Sequence, residues 1–177
     1  MLTCGEQLLF SFYNEKNVIN GKNNMDLQDV REVVNSEGVA ALSLSKGGWE
    51  GWLQCQLWAY LSLTKKQTVE REVLYPNSRQ RCDLVVGFAD PKLWVELKAF
   101  GIFRTGDEEE FLNSIAYDVL KLKNRPNGST ALVLVILPKV SSEWFETAIE
   151  QGRWNGFEKQ EEKYVNLYYM TQERMSF

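Results

Sequence analysis

The chain contains no histidine among its 177 residues. This absence excludes Ser-His-Asp and Cys-His nucleophilic sites, HExxH metalloproteases and every nuclease that depends on histidine. If the protein is an enzyme, its catalysis must therefore rest on carboxylates, lysines or a bound metal ion.

Cysteine is scarce as well, since only Cys4, Cys55 and Cys82 occur. Their odd number and the lack of a CxxC pair argue against a disulfide framework, a zinc site or a four-cysteine iron–sulfur site, so we expect buried, reduced thiols. No stretch approaches the roughly 20 consecutive apolar residues of a membrane span. Residues 1–10 also lack the basic start and long apolar segment of a secretory signal. We expect a soluble, intracellular protein of the cytoplasm without a membrane partner.

Positive charge is in deficit, because 20 lysines and arginines face 24 acidic residues and leave a net charge of -4. Non-specific coating of nucleic acid rests on many Lys and Arg contacts to phosphates, so any contact with DNA or RNA must be local. With 44% hydrophobic and 12% aromatic residues, the chain can bury one substantial core. We expect one compact domain, formed by an accessory segment, 1–46, and a main part, 47–177.

The hydrophobic pattern predicts alternating helices and strands. Apolar residues at helical spacing predict helices over 27–36, 49–63, 108–123 and 142–151. Asp26 is expected to cap the first helix, which stops near Gly38, and an Asp107-x-x-Glu110 capping pattern opens the third. Strand-like runs cover 68–75, 82–88, 93–100, 130–137 and 164–170. After a short N-terminal helical segment, the order α-β-β-β-α-β-α-β predicts an α/β fold with an antiparallel meander and a mixed central sheet flanked by helices.

Charged residues interrupt two of these apolar strands. In the run 93–100, Glu96 and Lys98 share a face with aromatic residues, where an unpaired charge is costly to bury. Asp83 interrupts the apolar run 82–86 in the same way. If the two runs form a hairpin, Asp83 and Glu96 lie side by side, with Lys98 on the side of Glu96. Carboxylates are the ligands that Mg²⁺ prefers, so this cluster predicts a metal site.

The two segments RCDLVV at 81–86 and WVELK at 94–98 resemble the core motif of the PD-(D/E)XK nuclease superfamily, which has the restriction-endonuclease-like fold. In that family a helix with an acidic residue precedes the three-stranded meander, and Glu50 stands in the matching position. The resemblance covers roughly residues 47–170. The chain departs from the family pattern at Cys82, where the family name has proline.

The resemblance implies a role for each residue of the motif. Asp83 and Glu96 would bind Mg²⁺ or Mn²⁺ together with the backbone carbonyl of Leu97, and Lys98 would position the water nucleophile. Glu50 would assist as a second-sphere or second-metal ligand. Three further residues are candidates for contact with the substrate: Gln54, Arg81 and Lys121. Gln54 could also contact a water molecule bound to the metal. The implied activity is that of an endonuclease, which hydrolyses phosphodiester bonds in DNA with a bound metal ion. Such an enzyme could act alone, as a homodimer or with a partner protein.

Each residue also has an ordinary structural interpretation. Glu96-x-Lys98 occurs by chance on solvated strands, and an acidic residue such as Glu50 is favoured near a helix start by the helix dipole. Asp118 and Lys121, three apart on one helix, are by default a surface ion pair. A second function is also possible, in which the fold is catalytically inactive and serves as a module for protein binding or assembly. The low pI and the lack of an obvious DNA-recognition domain favour this alternative.

Overall fold

The computed structural model describes residues 25–45, 48–87 and 92–171. Six strands in this part of the chain form one sheet in the order β1-β2-β3-β4-β6-β5. They are β1 (Val69–Leu74), β2 (Arg81–Val86), β3 (Leu93–Ala99), β4 (Thr130–Pro138), β5 (Glu158–Glu161) and β6 (Val165–Thr171). Strands β3 and β4 pair in parallel and the other neighbours pair antiparallel, so the sheet is mixed.

The helices of the described residues are α1 (Leu27–Val34), α2 (Glu37–Ser43), α3 (Glu50–Ala59), α4 (Glu108–Lys121) and α5 (Glu143–Glu150). Helix α3 continues as a π-helical turn, and short 3-10 turns follow β3, α4 and β4: Tyr60–Thr64, Ile102–Arg104, Leu122–Asn124 and Lys139–Ser141. Within these described ranges, no helix has the length and apolar character needed to cross a membrane.

Two hydrophobic clusters lie on opposite faces of the sheet. Strand β4 contributes to both, because alternate side chains of a strand point to opposite faces. Leu132, Leu134 and Ile136 pack with the first cluster, which includes residues of α1, α2 and α3. Ala131, Val133 and Val135 pack with the second, which includes residues of α4 and α5. The sheet is therefore covered by helices on both faces, and the described part of the 1–46 segment shares the core.

The predicted α/β class, the mixed sheet and the antiparallel meander of β1, β2 and β3 are confirmed. Helix α4 forms the crossover between β3 and β4, which is why these strands run parallel. Asp26 caps α1 as predicted, through a reciprocal capping box with Asp29. Residues 88–91, between β2 and β3 in the chain, lie outside the described part of the chain, as do residues 1–24.

The predicted element order is wrong by one strand. Strand β5 lies between α5 and β6 and pairs antiparallel with β6 at the edge of the sheet. Its sequence, EKQE, has no hydrophobic member. Edge strands often carry charged side chains, so a search for apolar alternation passes over such a segment.

Two predictions of helix ends are also corrected. The predicted helix 27–36 ends at Val34, and the separate helix α2 follows directly after Ser36. The capping pattern at Asp107 does not form, because its side chain accepts no capping hydrogen bond. The carboxylate of Glu108 accepts the backbone N–H of Gly106 instead.

Candidate functional site

Strands β2 and β3 separate at the end of the sheet where the charged residues lie. Their ladder ends with Leu84 opposite Val95, and the next positions in the same register are Asp83 and Glu96. The carboxylate of Asp83 accepts the backbone N–H of Leu97 at 2.7 Å. A side chain of β2 thus takes over a hydrogen bond to β3 where the backbone ladder has stopped, and the two acidic residues stand at the opening.

Glu96 is wholly buried on β3, on the face covered by α4. Its Oε1 accepts the hydroxyl of Tyr75 at 2.5 Å, and its Oε2 lies 2.8 Å from Nζ of Lys121. Burial raises the pKa of Glu96 to about 8, and the negative charges of Asp118 and Asp83 add to the rise. A carboxyl group with this pKa is mostly protonated at pH 7, so a further cation beside it would favour the ionised form.

Asp83 is held in place by Gln54 of α3. The amide nitrogen of Gln54 donates to the Asp83 carbonyl at 3.0 Å and to its Oδ1 at 3.3 Å. Arg71 donates to the amide oxygen of Gln54 at 2.6 Å. Burial raises the pKa of Asp83 to about 6, although the N–H of Leu97 and the charge of Lys98 act in the opposite direction. The sequence placed Gln54 near the site, and its contacts make it an anchor for Asp83.

Lys98 connects the two helical layers. Its Nζ lies 3.1 Å from Oε1 of Glu50 on α3 and 3.0 Å from Oδ2 of Asp118 on α4. These helices pack on opposite faces of the sheet, so the ammonium group of Lys98 joins the two helical layers at the end of β3. Glu50 also accepts the backbone N–H of Ala99 at 3.1 Å, which fixes the start of α3 against the end of β3.

The ammonium group of Lys98 stays charged in these surroundings. Burial acts to lower the pKa of Lys98, but the carboxylates of Glu50 and Asp118 outweigh it and raise the pKa. A protonated lysine donates hydrogen bonds and attracts anions but accepts no proton. In this arrangement Lys98 can orient a water molecule or a phosphate oxygen, and it is not poised as a general base.

Asp118 and Lys121 form the ion pair that their spacing predicts, at 2.9 Å, but the pair does not lie on the surface. Asp118 is only 2% exposed and also contacts Lys98, while Lys121 also contacts Glu96. Burial acts to lower the pKa of Lys121, but the carboxylates of Asp118 and Glu96 outweigh it and raise the pKa. Helix α4 therefore contributes two charged groups to the cluster.

Sequence reasoning missed Asp118 as a member of the site, although the sequence carries a sign of its burial. Asp118 comes seven residues after Phe111 and three after Ile115, both fully buried on α4. It thus lies on the buried stripe of the helix. A carboxylate on such a stripe requires a buried partner, and Lys98 and Lys121 are those partners.

Arg81 lies at the rim of the cluster. Its side chain is exposed and donates to the backbone carbonyl of Glu72, and its own carbonyl accepts from Lys121 at 3.2 Å. Glu72 has φ of 55°, a left-handed conformation that costs a non-glycine residue roughly 1–2 kcal/mol. Gln54 also binds the Glu72 carboxylate, at 3.0 Å. The strained position on β1 is thus held by two residues that the sequence had assigned to the substrate.

The expectation of buried, reduced thiols holds for Cys82 and is wrong for Cys55, which is a free cysteine but only half-buried. The sulfur of Cys82 lies 3.2 Å from the carbonyl oxygens of Leu84 and Val95, and its one hydrogen can be donated to either. Burial raises the pKa of Cys82, so the group stays a thiol. Cys4 lies outside the described residues. The role predicted for the carbonyl of Leu97 stays a prediction.

The charges of the cluster do not balance. Four carboxylates face two ammonium groups: Glu50, Asp83, Glu96 and Asp118 with Lys98 and Lys121. Fully ionised, the set would carry a charge of -2. Burial is the chief cause of the raised pKa values of Asp83 and Glu96, and the charges of neighbouring carboxylates add to it. Carboxylate oxygens with a surplus of two negative charges suit one divalent cation. The donor set therefore fits Mg²⁺ or Mn²⁺.

The donor atoms would have to rearrange to receive an ion. Within residues 25–45, 48–87 and 92–171, no three acidic or cysteine side chains already stand close enough together to hold a metal. The ammonium of Lys121 lies between Glu96 and Asp118, and that of Lys98 lies between Glu50 and Asp118. The lysines separate the carboxylates from one another.

Comparisons with known proteins identified no relative of this chain. No family model matches the chain, and no characterised protein or solved structure matches it. The resemblance to PD-(D/E)XK nucleases therefore rests on the motif residues and the order of elements in this chain alone.

Proposed function

We propose that this protein is a divalent-metal-dependent nuclease of the PD-(D/E)XK type, an endonuclease that hydrolyses phosphodiester bonds in DNA. One observation carries the proposal. Asp83 and Glu96 stand side by side in the register of two adjacent strands, where the backbone ladder between the strands ends. Neighbouring carboxylates supply the oxygen ligands that a hard divalent cation takes, and a carboxylate in a largely buried position needs a partner for its charge.

The order of the elements supports a restriction-endonuclease-like core. Helix α3 with Glu50 precedes the meander of β1, β2 and β3, and α4, β4, α5 and β6 follow in the order of the family. Strand β5 is an addition at the edge of the sheet, away from β2 and β3. It leaves the arrangement around the proposed site unchanged.

Each residue has a distinct task in the proposed reaction. Asp83 and Glu96, with the carbonyl of Leu97, would hold Mg²⁺ or Mn²⁺. The bound ion would lower the pKa of a water molecule and stabilise negative charge on the phosphate. To serve as a ligand, Glu96 would have to release its proton to solvent, since a ligand carboxylate must be ionised. Lys98 remains charged and orients the attacking water or a phosphate oxygen.

The surrounding residues keep these groups in position. Gln54 fixes Asp83 through two hydrogen bonds, and Glu50 holds the ammonium of Lys98 at 3.1 Å. Catalytic groups that are held before the substrate arrives lose little entropy in the reaction. Arg81, exposed at the rim, would attract the charged backbone of the nucleic acid, and the mostly buried ammonium group of Lys121 would add positive charge behind it.

One observation favours the second candidate, a catalytically inactive module for protein binding or assembly. Lys98 and Lys121 each contact two carboxylates, so much of the cluster is already paired within the chain. Such a network can hold α3 and α4 to the sheet without any reaction. Binding of a divalent cation distinguishes the two candidates, because the module has no use for it.

Cleavage of plasmid, linear and branched DNA, with an RNA control, tests the proposal in Mg²⁺, in Mn²⁺ and with EDTA. We expect metal-dependent cleavage of DNA that falls by at least about 100-fold in Asp83→Asn and Glu96→Gln, the scale of losing a catalytic group. Glu70→Gln is the matched control, because Glu70 is an exposed carboxylate on β1. Cleavage that resists EDTA, or that persists in Glu96→Gln, would contradict the assignment. No cleavage and no binding of Mn²⁺ would favour the module.

A further inference from the structure

We propose that Lys121 is an internal competitor of the divalent cation, so that its ammonium group must leave Glu96 before the ion can bind there. The inference rests on the proposed function, because it concerns the same metal site. It assigns to Lys121 an effect on metal affinity that neither the motif nor the family resemblance gives. Lys121 lies in α4, outside the segments that carry the motif.

The position of Lys121 carries the inference. Its Nζ lies 2.8 Å from Oε2 of Glu96, 2.9 Å from Oδ1 of Asp118 and 3.2 Å from the carbonyl of Arg81. The side chain is 11% exposed and Glu96 is wholly buried. This ammonium therefore lies within ion-pair distance of a buried, predicted metal ligand. An ammonium group at this oxygen repels a divalent cation that would bind the same carboxylate.

Lys98 differs from Lys121 in the partners it holds. Its carboxylate partners are Glu50 and Asp118, and it has no ion contact with Asp83 or Glu96. It can keep its place when a cation binds to those two residues. Of the two lysines, Lys121 alone blocks a predicted ligand.

Asp118 allows Lys121 to leave Glu96 without leaving the site. The two residues are three apart on α4, and their ion pair uses Oδ1, whereas Lys98 uses Oδ2 of the same carboxylate. The ring of Tyr117, on the exposed side of the helix, lies 6.0 Å from the ammonium. The lysine can therefore turn outward about Asp118 toward solvent, where an anionic phosphodiester would receive it.

This exchange links the two ligands of the site. A phosphodiester that binds the released ammonium favours the state in which Glu96 is free for the cation, and the cation favours the state in which the ammonium is free for the phosphodiester. Such coupling is reciprocal by thermodynamic necessity. The substrate class that Lys121 favours is a nucleic acid backbone, and the metal binds weakly until that backbone is present.

Titration calorimetry with Mn²⁺ alone tests the competition on the full chain. We expect Lys121→Met to bind Mn²⁺ on the order of tenfold more tightly than the wild type, within the usual range of coupling between two sites. The control is Lys139→Met, because Lys139 is an exposed lysine on the turn after β4, so this variant loses one positive charge elsewhere. Equal or weaker affinity in Lys121→Met would overturn the inference, as would an equal gain in Lys139→Met.

A second measurement avoids any folding defect of the variant. In wild-type protein labelled with ¹⁵N-lysine, the ammonium resonance of Lys121 is assigned by its loss in Lys121→Arg. Titration with Mg²⁺ should shift this resonance with the dissociation constant that calorimetry with Mg²⁺ gives for the wild type. A resonance that does not respond to saturating Mg²⁺ would refute the competition.

The outcomes separate this inference from the nuclease proposal. Tighter binding of Mn²⁺ to Lys121→Met without cleavage of any nucleic acid would uphold the competition and contradict the nuclease. Metal-dependent cleavage with unchanged affinity in Lys121→Met would uphold the nuclease and contradict the competition. If neither protein binds Mn²⁺, the competition and the metal site both fail.

Discussion

Replacing Glu96 with glutamine should change how the stability of the protein depends on pH. The pKa of Glu96 is about 8, raised from its ordinary value of 4.5 chiefly by burial. The unfolded chain loses this proton near pH 4.5, whereas the folded state keeps it up to about pH 8. The contribution of Glu96 to stability is therefore full below pH 4.5. It declines as pH rises and is lost above pH 8. The slope for one proton is about 1.4 kcal/mol per pH unit.

The interval between pH 6 and pH 8 isolates Glu96. Asp83, with a pKa of about 6, loses its differential protonation mostly below this interval. The chain has no histidine to titrate within it. Over these two pH units the wild type should lose up to about 3 kcal/mol of unfolding free energy, an upper limit since the titration is gradual. Glu96→Gln keeps the shape of the side chain without an ionisable group, so its stability should stay nearly level.

Urea unfolding of both proteins at pH 6, 7 and 8, without divalent cations, measures this difference. Adding Mg²⁺ at pH 8 should restore stability to the wild type and leave Glu96→Gln nearly unaffected, because a ligand that binds only the folded state stabilises it. The matched control Glu70→Gln should follow the wild type. Parallel pH profiles for the wild type and Glu96→Gln would refute the buried, protonated state of Glu96.

Three further variants test individual contacts. Tyr75→Phe removes the hydroxyl that donates to Glu96, so urea unfolding should show a loss of about 1 kcal/mol and the pKa of Glu96 should rise further. Gln54→Leu removes both hydrogen bonds to Asp83, so calorimetry should show weaker binding of Mn²⁺ and unfolding a loss of about 1–3 kcal/mol. Leu134→Ala empties a wholly buried position of β4 and should cost about 2–5 kcal/mol in urea unfolding without changing the affinity for Mn²⁺. Unchanged unfolding in Leu134→Ala would contradict the described core packing. Unchanged Mn²⁺ binding in Gln54→Leu would contradict the role of Gln54 in holding Asp83.

The core of the fold could be predicted because its elements carry strong periodicity. Strand β4 is buried on both faces, and its run of apolar residues after Thr130 marks it plainly in the sequence. Strand β5 carries no such mark, because it lies at the edge and its four residues are polar. Its formation depends on the partner β6, which a local pattern does not reveal.

The candidate site could be predicted only in part, for a related reason. Asp83 and Glu96 were conspicuous as charges in apolar strands, and their shared register follows from a simple hairpin. The contacts of Asp118 and Lys121 depend on how α4 lies across the sheet. The local sequence does not determine this placement, so it does not reveal that Lys121 reaches Glu96. Their spacing of three residues fits both a solvated pair and a buried one.

The buried network has a physical consequence for the fold. Lys98 and Lys121 join α3, β3 and α4 by ion pairs across the opening between β2 and β3. Removing one partner from such a network leaves an uncompensated buried charge, which is strongly destabilising. Glu96→Gln and Asp83→Asn keep the shape of the side chain but remove its charge, so unfolding curves should accompany each activity measurement.

The most direct test of the proposed metal centre is anomalous diffraction from crystals of the full chain soaked in Mn²⁺. We predict a manganese peak in contact with the carboxylates of Asp83 and Glu96, with the ammonium of Lys121 displaced from Glu96. Well-ordered crystals without a peak at these residues at saturating Mn²⁺, and with Lys121 still bound to Glu96, would contradict the metal centre.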